Sequence, residues 1–473
     1  MRVLIISTNQ SKLPVPVMPL GACVIAESAL KAGYDIRFMD MMFLHEYQNA
    51  LEKELEWKPQ VIGISLRNID NNDMSKPVTF YDLVRVLVKT IRSRTNAPLV
   101  LGGAAAGIMP VELLLYTGVD YVISGNGEES FPLLLGGIER NGVVSQIPGV
   151  IWREGHKIRV NQAGKPRYDD CAAPDFSKWI DVRRYYSYLT PAPMQTKRGC
   201  PFNCIYCTYG INEGREYNLA STESIVGAVK QLESGGCRDI EFVDNVFNAP
   251  YRHALAVCSA LRTAKSKVRF HTQNLSPQCI DGKLLSFMKE AGFKSVGITA
   301  ENISDRVLRN LGKSYNKSHV IKAAKALQRN HVPCMWVFLL GGPGENITSV
   351  KQTFSFAKEY VLPQDVVFFN IGIRIYPGTK LEKIARQEGV LVSSRHDMLE
   401  PVSYFSSDLS REWLENEMNA QLEANKNFID SGSLIFPLLP VIYRIGGWLG
   451  FSHPLWRHTR RMRTALNYIG VHA

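Results

Sequence analysis

No second C-x2-C pair accompanies the three clustered cysteines of this 473-residue chain, and Cys237, Cys258, Cys279 and Cys334 stand singly. A structural zinc site usually takes four ligands in two such pairs, so a zinc ribbon is set aside. In the C-terminal tail Pro437, Pro440, Gly446, Gly447 and Gly450 break any apolar run of about 20 residues, so no transmembrane helix is expected there. The first seven residues run into a strand-like segment without the charged region, apolar core and cleavage site of a secretory leader. Nine cysteines form no evident disulfide framework, so a reducing, cytoplasmic setting is expected. Acid is missing at one end: residues 431–473 hold no Asp or Glu, against Arg444, Arg457, Arg460, Arg461 and Arg463. The remainder is of ordinary globular composition, 45% hydrophobic and 21% charged with a net charge of +11. That suffices for two or three domains with substantial cores.

What is present centres on Arg198-Gly199-Cys200-Pro201-Phe202-Asn203-Cys204-Ile205-Tyr206-Cys207. Three thiolates at C-x3-C-x2-C spacing on one short loop can hold three irons of a [4Fe-4S] cluster. The fourth iron is then open to a small molecule, as an open zinc site is open to water.

In the first third, short β-branched runs alternate with helical patterns. Residues 3–7, 34–39, 61–66, 98–101 and 121–124 read as strands, with helices over 21–32 and 81–94. Such alternation implies a parallel sheet covered by helices on both faces. Ligands of these sheets bind beyond the carboxyl ends of the strands. Those ends carry Pro19-Leu20-Gly21, Ser65-Leu66-Arg67, Gly102-Gly103 and Gly125-Asn126-Gly127-Glu128. Glycines there let the backbone approach a flat or phosphate-bearing ligand.

From about residue 195 to 390, strand-then-helix units repeat. An amphipathic helix is expected over 222–234, and strands over 239–243, 268–272, 295–299, 335–340 and 368–375. They end respectively in Asp244-Asn245, Gln273-Asn274, Ala300-Glu301-Asn302, Gly341-Gly342-Pro343-Gly344-Glu345 and Tyr376-Pro377-Gly378-Thr379.

The cysteine loop and the Gly341–Glu345 run resemble the radical S-adenosylmethionine (SAM) superfamily. The strand-end glycines, with Val119-Asp120-Tyr121 and Gly125-x-Gly127-Glu128, resemble the cobalamin-binding domain that precedes the radical SAM domain in one large family. The resemblance covers residues 1–390. It implies an α/β protein: a doubly wound, Rossmann-like cobalamin-binding domain (1–145), a linker packed between domains (146–190), a partial (β/α)6 barrel (191–392) and a mainly helical C-terminal region with a basic apolar tail (393–473). Residue by residue, it implies that Cys200, Cys204 and Cys207 hold the cluster. Asp244 and Asn245 fall where the family contacts the SAM amino group, Gln273 and Glu301 where it contacts ribose and carboxylate, and Gly341, Gly342 and Gly344 where backbone passes under adenine. Leu20, Gly21, Ser65, Arg67, Gly102, Gly103, Gly125, Gly127 and Glu128 fall on the cobalamin side.

The implied cofactors are a [4Fe-4S] cluster, SAM and cobalamin, with an electron donor such as flavodoxin or ferredoxin. The implied reaction removes a hydrogen with a 5′-deoxyadenosyl radical and methylates the resulting carbon, the protein supplying placement and water exclusion. Cyclisation or rearrangement without methyl transfer is the alternative, and a non-catalytic iron–sulfur protein a more distant one. One departure matters, and one rival reading is set aside. The D-x-H-x-x-G run that gives cobalt a lower His is absent, and His45, the only histidine before residue 150, reads as a surface helix residue. A methylthiotransferase would need three cysteines in the first domain, which has only Cys23.

The substrate is expected to be a small or lipid-like molecule. No nucleic-acid module accompanies the basic residues. The tail, with Leu434-Ile435-Phe436, Pro437, Trp448 and Trp456, reads as packed on the domain with a solvated basic rim; peripheral contact with an anionic membrane is the alternative.

Overall fold

Val3, Leu4, Ile5 and Ile6 are all enclosed, as a central strand requires when helices cover both faces of its sheet. The structure, a computed structural model, describes residues 1–140, 142, 144–164, 173–392, 394, 396–431, 439–448 and 450–468. Pro166 of the linker and Leu434 to Pro437 of the tail lie outside these, as does the side chain of Trp448.

The first sheet comprises β1 (Arg2–Ser7), β2 (Asp35–Asp40), β3 (Val61–Ser65), β4 (Leu99–Gly102), β5 (Tyr121–Ile123), β6 (Val150–Glu154) and β7 (Lys157–Val160). Its order is β2-β1-β3-β4-β5-β6-β7. The first five strands are parallel, as expected for a doubly wound domain, and β6 and β7 are antiparallel. The segment 146–190 is thus more than a linker. Val150 and Ile151 are buried against the first core, so a hairpin extends the sheet before the chain leaves it. Beyond it, Tyr185 is fully enclosed and donates its hydroxyl to Asp40 Oδ2 at 2.8 Å.

The second sheet begins with β8 (Ala192–Met194). Two short strands follow, β9 (Lys197–Arg198) and β10 (Asn218–Leu219), pairing antiparallel across the base of the cysteine loop. The sheet continues through β11 (Asp239–Phe242), β12 (Arg269–Leu275), β13 (Phe293–Glu301), β14 (Cys334–Leu340) and β15 (Val366–Ile371). A side hairpin follows, β16 (Ile373–Arg374) with β17 (Ser403–Tyr404), and the last strand is β18 (Phe428–Asp430). The order is β18-β15-β14-β13-β12-β11-β8, all parallel. Among the described residues no ladder joins β8 to β18, so the sheet stays open.

The C-terminal region is mainly helical as expected, with helices Arg411–Ala424, Leu439–Trp448 and Thr459–Tyr468. The first stops short of Phe428, which is buried on β15 and adds a seventh strand to the sheet. His45 is exposed as expected, but it precedes the helix Tyr47–Glu56 rather than lying within it. In the tail, Trp456 packs on Met335, Val366 and Ile429, and Arg463 donates to the Phe428 carbonyl at 2.5 Å. No described helix is long and apolar enough to cross a membrane.

One hydrophobic cluster crosses between the two sheets, running from Ile64 and Leu66 to Ile205, Leu311 and Ile373. The cysteine loop is therefore seated on a core shared by both domains.

Candidate active site between the two domains

The cysteine loop is held at both ends and in the middle. Gly199 has φ 85°, and a side chain there would collide with the Glu216 carbonyl, so the turn into Cys200 needs glycine. Cys200 N donates to Gly214 O at 3.0 Å, Cys207 N to Cys204 O at 3.3 Å and Ile205 N to Leu311 O at 3.1 Å. Cys200 is buried, while Cys204 and Cys207 are partly open. Burial pushes the Cys207 thiol up to about 12 and raises that of Cys200, with the neighbouring cysteines adding to both shifts. Among the described residues no three His, Cys, Asp or Glu side chains are grouped to hold one ion.

Beneath the loop, Lys313 Nζ lies 2.7 Å from Glu301 Oε1, 2.8 Å from Tyr206 Oη and 3.4 Å from Cys204 Sγ. Tyr206 also donates to Glu301 Oε1. Burial works against the ammonium, but the charges of Glu301, Tyr206, Tyr315 and Cys204 together outweigh it and hold Lys313 well above its ordinary range.

Two residues expected on the SAM side have partners within the chain. Asp244 is fully enclosed and accepts from Thr196 N at 2.7 Å, Thr196 Oγ1 at 2.8 Å and Lys197 N at 3.1 Å. It stitches the ends of β8 and β11 together. Glu301 is 1% exposed and committed to Lys313 and Tyr206, so it serves the underside of the cysteine loop. Asn245 is half-buried, its Nδ2 donating to Glu213 Oε2 at 2.6 Å, and Gln273 keeps open space inside the barrel. The glycine run is closed by its own glutamate: Glu345 accepts from Gly341 N at 2.6 Å, Gly342 N at 3.1 Å and Asn302 Nδ2 at 2.6 Å. Side chains at Gly341 and Gly344 would meet Phe405 and Asn310, so packing within the chain accounts for both glycines.

On the facing domain the residues divide likewise. Gly21 and Gly102 face open space, and Leu20 and Ser65 are partly open. Gly103 has φ 99°, and any side chain would strike the Leu66 carbonyl, so it locks β4 to the end of β3. Gly125 and Gly127 lie against Ala163 and Ile25. Glu128 forms an ion pair with Arg198, the residue just before the cysteine motif, and Asn126 Oδ1 accepts from Arg198 Nη1 at 2.9 Å. Glu128, expected on the cobalamin side, thus also fastens the two domains together. A second latch joins Asn212 Nδ2 to the Ala104 carbonyl at 3.0 Å.

Arg67 is exposed yet surrounded by protein, a combination found at cavity walls; burial lowers its guanidinium, while Tyr209 and Glu241 support its charge. Glu241, which sequence reasoning missed, is held deep in the barrel, and burial pushes it up to about 7 against a hydrogen bond from Gln273 and the charge of Arg67. The signal was available: Asp239 and Glu241 alternate along one strand, placing two acids on the same face. Lys313 gave no such signal, because it lies in a loop after a helix.

The strand ends of both sheets thus converge, with the cysteine loop and Arg67 between them. The radical SAM superfamily matches residues 194–357, and the B12 binding domain matches residues 7–135. The chain belongs to the cobalamin-dependent radical SAM family, and its cofactors are a [4Fe-4S] cluster, SAM and cobalamin. It is 24% identical over 404 residues to an uncharacterized methyltransferase of Pyrococcus horikoshii, covering 82% of this chain and 84% of the relative. The hopanoid C-3 methylase of Methylococcus capsulatus is 26% identical over 314 residues, 64% of this chain and 57% of that protein. Among solved structures, the radical SAM methyltransferase TsrM of Kitasatospora setae, with cobalamin and a [4Fe-4S] cluster bound, superposes with a TM-score of 0.86 at 20% identity, over 100% of this chain and 99% of that one. The chain is a cobalamin-dependent radical SAM enzyme.

Proposed function

We propose that the chain transfers a methyl group to an unactivated carbon of a small-molecule or lipid-like biosynthetic intermediate. The observation that carries this reading is the direct docking of the cysteine loop on the strand ends of the first domain, through Arg198–Glu128 and Asn212–Ala104. When bound, the cluster and SAM supply a hydrogen-abstracting radical, and cobalamin supplies the methyl group.

The chain's own residues then do the placing. Cys200, Cys204 and Cys207 hold the cluster. Asn245 and Gln273, the open polar groups at the ends of β11 and β12, face the SAM side. Gly21, Gly102, Ser65 and Arg67 line the cobalamin side, where Gly21 and Gly102 leave room for a flat ring. Glu241, Gln273 and Tyr209 line the space between, where a carboxyl poised near neutrality suits a polar substrate group. An electron donor of the flavodoxin or ferredoxin kind supplies the reducing electron. If the substrate is delivered from a membrane, Val441 and Ile445, half exposed around Arg444, are the surface that would touch it.

The test uses anaerobically purified full chain produced with cobalamin. Iron at about four per chain, stoichiometric cobalt, and labelled methyl passing from SAM to the cobalamin fraction are expected. Iron without cobalt, or cobalamin that never acquires label, would overturn the methyltransferase reading.

A further inference from the structure

Lys313 uses all three ammonium hydrogens inside the protein. An ammonium has three donors, and here three acceptors surround it: Glu301 Oε1, Tyr206 Oη and Cys204 Sγ. The lysine side chain is 8% exposed and Glu301 only 1%. A lysine meant for a bound cosubstrate would keep a donor free. One meant only to neutralise Glu301 would have no need of the sulfur.

The backbone delivers this contact. Leu311 O accepts from Ile205 N at 3.1 Å, inside the cysteine motif. The next residue, Gly312, sits so close to Asn203 that a side chain would strike the Asn203 carbonyl. The 311–313 segment is therefore clamped to the cysteine loop on both sides of Cys204, and Lys313 reaches the sulfur as a consequence. Tyr206, one residue before Cys207, carries its ring 5.0 Å from the same ammonium. Glu301 holds the far side from a left-handed backbone conformation, φ 62°, which is strained for glutamate. Its Oε2 is buried with no hydrogen-bond partner, leaving an uncompensated negative oxygen beside the lysine.

We propose that Lys313 is a positioning residue for the cluster's electron, its N–H on the Cys204 sulfur raising the cluster's reduction potential, with Glu301 as the opposing charge that draws it back. This rests on Cys200, Cys204 and Cys207 being the cluster ligands. Hydrogen bonds to ligand sulfur and the net charge nearby both set cluster potentials. The reduced cluster carries one more negative charge than the oxidised one, so a cationic donor at the sulfur favours the reduced form and a carboxylate disfavours it. One electron enters from an external one-electron donor; no covalent bond forms or breaks, and no protein proton moves.

The experiment compares the full chain with Lys313→Met and Glu301→Gln. Each protein is reconstituted anaerobically and assayed for iron and sulfide, then titrated with dithionite while the reduced-cluster EPR signal is followed. At parental iron content, the midpoint is expected to fall in Lys313→Met and rise in Glu301→Gln, shifts of opposite sign that a general loss of packing would not produce. Iron-replete variants titrating at the parental midpoint would overturn the proposal. If Lys313→Met cannot retain a cluster, Glu301→Gln decides alone: an upward shift supports the assignment and an unmoved midpoint removes it. A parent chain that binds no iron would instead remove the cluster reading on which all of this stands, a result visible before any titration begins.

Discussion

Asp70 accepts a hydrogen bond from Arg374 Nε at 2.8 Å, tying the loop after the first domain's third strand to the side hairpin of the second. Both side chains are almost wholly buried, at 1% and 3% exposure. Arg374 also donates to the carbonyls of Ile375 at 2.7 Å and Met398 at 2.9 Å, which fixes its guanidinium in place. Removing one partner of a buried pair typically costs about 3–5 kcal/mol. Asp70→Ala should lower the denaturant midpoint accordingly. Arg411→Ala, which breaks the exposed pair with Glu415, should cost about 0.5 kcal/mol or less. Equal losses in the two variants would contradict the assignment of the Asp70 pair as a domain fastening.

Gly102 and Gly103 are neighbours with different jobs. Gly102→Val places a side chain in open space at the strand end and should abolish cobalamin retention while leaving the melting temperature near that of the parent. Gly103→Val drives a side chain into the Leu66 carbonyl, so it should lose both retention and stability. Cobalt analysis beside a thermal melt separates the two. Full cobalt in Gly102→Val would move the ligand elsewhere.

Cys204→Ala should abolish deoxyadenosine formation from SAM without unfolding the chain, because the loop keeps its backbone bonds at Cys200, Ile205 and Cys207. Circular dichroism and product analysis on the same sample check this; a normal deoxyadenosine yield would refute the cluster assignment.

Glu241 gives a pH dependence with a defined sign. Its folded carboxyl sits at about 7, against about 4.3 in an unfolded chain. Between those values the folded state binds more protons than the unfolded one, so stability falls as pH rises through the window. Glu241→Gln removes that loss. Its stability relative to the parent should improve from pH 5 to pH 8, by no more than about 3 kcal/mol. Parallel melting curves for the two proteins across this range would contradict the buried carboxyl.

Much of the fold was legible because its strands are apolar runs of the right length between helical patterns. The helix over 222–234 coincides with the observed Thr222–Ser234, and strands β1, β3 and β14 fall within a residue of expectation. Strand β8 was not legible: three residues with Pro193 at the centre carry no periodicity, and only pairing with β11 makes them a strand. Strand β18 is equally short and was hidden behind the Arg411–Ala424 helix. At the site, motif spacing pointed to the cysteines, but it could not tell which polar residues at strand ends face a ligand. Asp244 and Glu301 turn inward to serve neighbouring backbone and lysine, a distinction that depends on three-dimensional partners from loops many residues away.

The placement of β18 has a consequence for how the chain comes off the ribosome. Strand β15 ends at Ile371, yet the strand that covers its free edge ends only at Asp430. Until that stretch has been synthesised, the nascent barrel presents an unpaired parallel edge, the kind of surface that invites pairing with another chain. Until then the barrel stays in a vulnerable form. Interrupted translation between these two strands should therefore yield an aggregating product rather than a trimmed but soluble one.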